Sequence, residues 1–194
     1  MTASVRYRLR PATEADLDRL LAVLNGAVTW LRQRGVDQWG GEPWHAAELR
    51  PGLKAGALYL AESREAVPVA TMTLDDVADE DFWSPEDDLS AALYLRHLAV
   101  DRALSGRGIG SWMLGQAARH AARRGKEWLR LDASKTNTRL HAYYRQQGFQ
   151  QLRTVHVPNR ASGARFQRCA ASRPASAARP ICPECRPGTG YARR

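Results

Sequence analysis

The chain opens on alternation. VRYRLRPAT, Val5–Thr13, switches between apolar and polar residues as a strand does and stops at Pro11. The period then changes to helical. Leu17, Leu20, Leu21 and Leu24 recur on one face, with Thr13 as N-cap and Asp16 near the positive end of the new helix. A second helical piece is predicted from Val28 to Arg34, ended by Gly35. ALYLAES (Ala57–Ser63) and VPVATMTL (Val67–Leu74) read as an antiparallel hairpin. DDVADEDFWSPEDDLS (Asp75–Ser90) is acidic, lacks a period and contains Pro85, so it reads as a loop.

AALYLRHLAV (Ala91–Val100) is the next strand, and a helix is predicted from Ile109 to Arg124, stopped by Gly125. EWLRLDA (Glu127–Ala133) is a further strand. Thr136 or Asn137 caps a helix that carries Leu140, Tyr143, Tyr144 and Gln147 and closes at Gly148. Two final strands are expected near Phe149–Val155 and Ala164–Arg168. Strand, two helices, three strands, helix, strand, helix, two strands is the order of an α/β protein with a mixed sheet.

At 194 residues the chain suits one sizeable domain. That domain is expected over residues 1–168. From Cys169 to Arg194 the composition turns to Pro, Ala, Arg and Gly, with too little apolar content to pack, and this tail is expected to be disordered. The tail also holds +4 of the formal +9 charge, so the domain itself is only mildly basic. Nucleic-acid binding would call for aromatics among the arginines, and the tail offers only Tyr191, which argues against such a partner. No apolar run approaches the roughly 20 residues of a membrane span, and the N-terminus lacks a signal-like apolar stretch. A cytoplasmic location is the expectation. Cys182 and Cys185 have the spacing of half a zinc site, but there is no second pair, so no metal is expected.

One short stretch suggests chemistry. In LSGRGIGSWML, Leu104–Leu114, three glycines stand directly before a helix. Glycines let successive N–H groups converge on an anion, the helix N-terminus adds its dipole, and Arg107 adds a charge. A pyrophosphate suits such a turn, and a tight turn needing glycine for geometry alone is the competing explanation. No Lys-Ser or Lys-Thr follows the glycines, which excludes a Walker-type loop. The third glycine is misplaced for the dinucleotide fingerprint, and the Ala57–Leu74 hairpin speaks against repeated parallel units.

LAVDRALSGRGIGSWML resembles the acetyl-CoA-binding segment of the GCN5-related N-acetyltransferases, and LRLDASKTNTRLHAYYRQQGF resembles that family's strand, asparagine, helix, tyrosine and Gly-Phe. The resemblance covers Val5 to Arg168. It implies a mixed, mostly antiparallel central sheet flanked by helices on both faces. It implies acetyl-CoA as co-substrate and acetyl transfer to an amine. Gly108 and Gly110 fall on the family's glycines, so the backbone of Ser105, Gly106, Arg107, Gly108, Ile109 and Gly110 would hold the pyrophosphate. Leu98, Ala99 and Val100 match the strand that pairs with the pantetheine arm and holds the acetyl carbonyl. Asn137 matches an asparagine near the pantetheine, and Tyr144 the tyrosine that protonates the departing thiolate. Ser105 departs from the family's usual Arg or Gln, and Arg107 is the candidate replacement.

The chemistry needs a base, because a free alkylamine is mostly protonated at neutral pH. Many relatives carry a glutamate where this chain has Tyr94. His97, the loop acids Asp75, Asp76 and Glu86, or a chain of waters are the alternatives. WLRQRGVDQWGGEPW (Trp30–Trp44) offers Trp39 and Trp44 as walls of an amine pocket, against a plainer role in which Trp30 and Leu31 anchor the helix and Trp39 packs under the loop. The acidic loop with Phe82 and Trp83 adds a lean toward a cationic acceptor. A small primary amine is the expected acceptor. A protein lysine or N-terminal amine, or a non-catalytic binding module, are the alternatives. Monomer and homodimer are both left open.

Overall fold

A continuous apolar stripe makes one helix where the pattern suggests two. In the computed structural model, which describes residues 7–36, 38–39 and 42–170, helix α1 runs unbroken over Leu17–Arg32 and buries Leu17, Leu20, Val23, Leu24, Ala27 and Val28 along one face. Gly26 lies on the exposed side, where it weakens the helix by about 1 kcal/mol without ending it. Gly35 sits in the closing turn at φ +64°, a left-handed conformation suited to glycine.

A further helix, α2 (Ala46–Lys54), escapes prediction because Pro51-Gly52 looks like a break. Glu48 holds its start by accepting from the backbone N–H of His45 at 2.7 Å, and Leu49 anchors it in the core.

The strands are β1 (Tyr7–Pro11), β2 (Leu58–Ser63), β3 (Pro68–Asp75), β4 (Ala92–Val100), β5 (Trp128–Ser134), β6 (Gln150–Thr154) and β7 (Ser162–Cys169). They form one sheet in the order β1-β2-β3-β4-β5-β7-β6. Every neighbouring pair is antiparallel except β4–β5. Helix α3 (Ile109–Arg123) packs Met113, Leu114 and Ala117 on one face of the sheet, and α4 (Thr138–Gln146) adds Tyr144 to the same core. The other face carries α1 and α2, whose Leu20, Leu24 and Leu49 meet Leu58 and Leu60. A mixed, mostly antiparallel sheet with helices on both faces is therefore the architecture.

The acidic loop is not a free acidic surface. Phe82 and Trp83 are buried against Ala92 and Tyr94. The guanidiniums of Arg130 and Arg165 lie over the Trp83 ring, 5.1 and 4.1 Å from its centroid. Asp75 pairs with Arg96, Asp79 and Asp81 with Arg160, and Asp87 with Arg165. The lean toward a cationic acceptor drawn from this loop is thus corrected: these four charges are paired with arginines and its aromatics belong to the core.

A second charged cluster ties β1 to α1 and β2. Arg10 meets Asp16 at 2.7 Å and Glu62 at 2.9 Å, and Arg19 meets the same two acids at 3.0 and 2.8 Å. No helix among the described residues is long and apolar enough to cross a membrane. The tail expected from Cys169 starts later, because Cys169 ends β7 and Ala170 is buried in the core; Cys182, Cys185 and the rest of it from residue 171 lie outside the described residues.

Candidate active site

The site begins with a fault in a strand. Thr71 pairs with Ala99 and Thr73 with Arg96, so two residues of β4, His97 and Leu98, stand against the single Met72 of β3. This bulge puts His97 at φ +51°. An extra residue also reverses which face the later side chains take. Leu93 and Leu95 pack on the α3 side, whereas Ala99, of the same parity, packs with α1.

On its other edge β4 has already left its partner before the bulge. β4 and β5 pair only over Ala92–Tyr94 against Trp128–Arg130, although both strands continue. The β4 edge past Tyr94 therefore turns backbone donors and acceptors into a gap rather than onto a partner strand. A cleft of about 930 Å³ occupies this gap, and Leu98, Ala99 and Val100 line it.

The glycine turn lies at the end of that edge. Gly106 and Gly108 have φ +78° and +74°, and Gly108 is the N-cap of α3. A Cβ at either would meet nothing of the protein within 4 Å, so the surface over them is open for a ligand. Gly110 has a different reason. A Cβ there would lie 2.6 Å from the Tyr143 hydroxyl, so this glycine makes room for a tyrosine. Ser105, Gly106, Gly108, Ile109 and Gly110 all line the cleft. Arg107 is exposed and is not among the lining residues. The Ser105 hydroxyl donates to the Arg102 carbonyl at 2.8 Å.

The charge beside the turn comes from residues that the sequence does not mark. Arg102 and Arg34 line the cleft and stack on Trp30, 3.7 and 4.1 Å from its centroid. Arg102 Nε is buried without a partner among the described residues. Trp30 is correspondingly a part-exposed wall of the cleft rather than a core anchor. No motif announces these two arginines, since the turn at Arg102–Leu104 and the end of α1 meet only in space.

Tyr144 reaches the cleft from α4, its ring buried between Phe149 and Phe166. Burial, neighbouring Tyr143 and the charge of Asp132 push its hydroxyl well above the usual tyrosine range, so it holds its proton at neutral pH. Asn137 caps α4 by accepting from the Leu140 N–H at 3.1 Å. Its amide also donates to Gln38 Oε1 at 3.4 Å, linking α4 to the loop after α1.

On the other side, Trp39 lines the cleft and meets Trp44 edge-on, with ring centroids 6.0 Å apart. Trp44 in turn meets His97 edge-on, with ring centroids 4.6 Å apart, and does not itself line the cleft. His97 lines it, with Nδ1 3.0 Å from the Thr73 hydroxyl. Burial and the charge of Arg96 push its pKa down to about 4, which leaves it neutral. Asp75, Asp76 and Glu86 are all absent from the lining. Among the described residues, the carboxylate that does line it is Asp132 of β5. A lone acid five residues before Asn137 is the only trace of it in the sequence.

The model of the acetyltransferase (GNAT) family matches residues 24–149. Among curated proteins, the uncharacterized N-acetyltransferase YesJ of Bacillus subtilis (strain 168) is 27% identical over 144 residues, covering 72% of this chain and 79% of YesJ. A GNAT-family acetyltransferase from Listeria monocytogenes superposes with a TM-score of 0.71 at 22% identity, over 87% of this chain and 98% of its own. The yncA structure from Salmonella typhimurium, solved with its cofactor acetyl-CoA, superposes at 0.63 with 18% identity, over 91% and 99%. With its bulged fourth strand, its parted sheet and its glycine turn in place, the chain belongs to the GNAT family of acetyltransferases.

Proposed function

We propose that this protein transfers the acetyl group of acetyl-CoA to the primary amine of a small molecule. The observation that carries this is the parting of β4 from β5, which leaves a strand edge open beside a glycine turn at a helix N-terminus. The residues present fit the co-substrate. The backbone from Ser105 to Gly110 receives the pyrophosphate, with Arg102 and Arg34 supplying the positive charge. The buried Arg102 Nε, which has no hydrogen-bond partner among the described residues, is the kind of donor that an anionic oxygen would satisfy.

Leu98, Ala99 and Val100 offer backbone groups to the pantetheine amides, and their N–H groups stabilise charge on the acetyl oxygen. Asn137 lies beside the same arm. Tyr144 gives its proton to the departing sulfur. The Asn137–Gln38 hydrogen bond joins two elements of the cleft wall and supports a small acceptor over a peptide, which needs an open groove.

Calorimetric titration of acetyl-CoA tests this, with Gly108→Trp as control. Saturable binding by the natural chain, lost in the variant, is the expected result. A screen of small amines, with Tyr144→Phe alongside, then identifies the acceptor. A natural chain that binds no acetyl-CoA overturns the proposal.

A further inference from the structure

On the acetyl-transfer reading above, the cleft has two ends, and β4 runs between them. The glycine turn, with Arg34 and Arg102 beside it, is the anionic ligand's end. From there Val100, Ala99 and Leu98 lead back to His97 at the bulge. A thioester whose phosphates sit at the turn lays its acetyl group toward His97, and an acceptor must meet it there.

The His97 end is poor in free charge. Burial and the charge of Arg96 leave the imidazole neutral. Arg96 itself is engaged, since Asp75 pairs with its Nη2 and the Val77 carbonyl accepts from its Nη1 at 2.9 Å. Asp75, Asp79, Asp81 and Asp87 are all paired with arginines and none lines the cleft. Among the described residues, Asp132 is the only carboxylate in its lining. One carboxylate suits one ammonium. The further charges of a polycation would lose their water there without finding a partner.

What this end has instead is an aromatic wall. Leu31, Val36 and Trp39 line it from α1 and the loop that follows. Trp39 is braced from behind. With Trp44 it packs on the cluster that contains Leu20, Leu24 and Leu49. Trp44 lies edge-on to both Trp39 and His97, with ring centroids 6.0 and 4.6 Å away. Asn25 fixes the Trp44 backbone twice: its Oδ1 accepts from the N–H at 2.7 Å, and its Nδ2 donates to the carbonyl at 3.1 Å. A tryptophan that only filled space would be covered, whereas Trp39 stays half-buried on the cleft wall. A ring held in place before its ligand arrives is a platform for a second flat ring.

We infer that Trp39 determines acceptor specificity and that the acceptor is an arylalkyl monoamine, its ring against Trp39 and its single amine toward the acetyl group. This rests on the acetyl-transfer reading and names the substrate class of that site. The flat ring gains from burial against Trp39, Leu31 and Val36 and from the aromatic contact itself.

The test offers phenethylamine, n-butylamine and spermidine to the natural chain, Trp39→Ala and Trp39→Phe. The two monoamines carry the same kind of ammonium, so the ratio of their kcat/KM values reads the body of the molecule. The natural chain should prefer phenethylamine to butylamine by about tenfold. Spermidine should be the poorest of the three. In Trp39→Ala the preference should shrink to within about twofold, chiefly through the KM of phenethylamine, and Trp39→Phe should restore most of it. Calorimetry should give acetyl-CoA affinities that agree within about twofold among the three proteins. A merely structural tryptophan would lower transfer to both monoamines alike and preserve their ratio. A preserved ratio in Trp39→Ala, or a natural chain that favours butylamine or spermidine, overturns this inference and leaves the transferase reading in place. A natural chain that binds no acetyl-CoA, or binds it and acetylates none of the three amines, overturns both together.

Discussion

Two aspartates of this chain face opposite conditions. Asp16, at the start of α1, is buried but surrounded: Arg10 and Arg19 both reach it, and Thr13 donates to it from its N–H and hydroxyl. Asp132, in the cleft, has no ion pair of its own among the described residues, and the charges of Arg160 and Arg96 reach it only from a distance. The Arg10 guanidinium holds the Asp16 carboxyl well below the usual range, whereas burial lifts that of Asp132. The same side chain is thus stabilised as an anion in one place and left wanting a cation in the other. The first arrangement joins β1, β2 and α1. The second leaves a carboxylate without an ion pair among the described residues on the wall of the cleft.

Replacing Asp16 by Asn should break the first cluster and produce the largest effect. It strands Arg10 and Arg19 beside Glu62, and about 3 kcal/mol should be lost in urea unfolding at neutral pH. The sign with pH follows from the lowered carboxyls of Asp16 and Glu62. Their contribution is whole above the unfolded aspartate and glutamate range, near pH 4, and is lost as the pH falls through their folded values. The natural chain should therefore lose stability below about pH 4 more steeply than Asp16→Asn. The contrast sharpens with Asp132→Asn, which removes an anion the fold disfavours. Its Tm at neutral pH should rise rather than fall.

Tyr144→Phe should lower kcat about 100-fold, near 2.7 kcal/mol of barrier, with acetyl-CoA affinity little changed. A comparable loss of affinity would make Tyr144 a packing residue instead. Gly108→Ala places a Cβ at φ +74° and should cost about 1 kcal/mol of stability. Its effect on acetyl-CoA binding should be larger, because the protein leaves that space open and a ligand would not. Gln38→Ala removes only a 3.4 Å hydrogen bond, so a change of about twofold in KM and none in Tm is expected.

Local pattern is enough for much of this. Alternation marks β1, apolar runs mark β2, β3 and β4, the apolar stripe marks α1 and α3, and the glycine turn stands out in the bare chain, because period and turn chemistry are properties of neighbouring residues, whereas Tyr144 is singled out by the family resemblance. Pro51-Gly52 hides α2, since tertiary packing of Leu49 outweighs a weak local preference. The loop acids look available because their partners, Arg96, Arg160 and Arg165, are distant in the chain.

Arg34, Arg102 and Asp132 belong to the same class of outcome. Nothing beside them in sequence marks them. Their surroundings arise only where β4 parts from β5 and the end of α1 meets the turn after β4. Periodicity reports which face a residue takes within its own element. Whether a charge finds a partner depends on groups far along the chain, and only the folded structure brings those together.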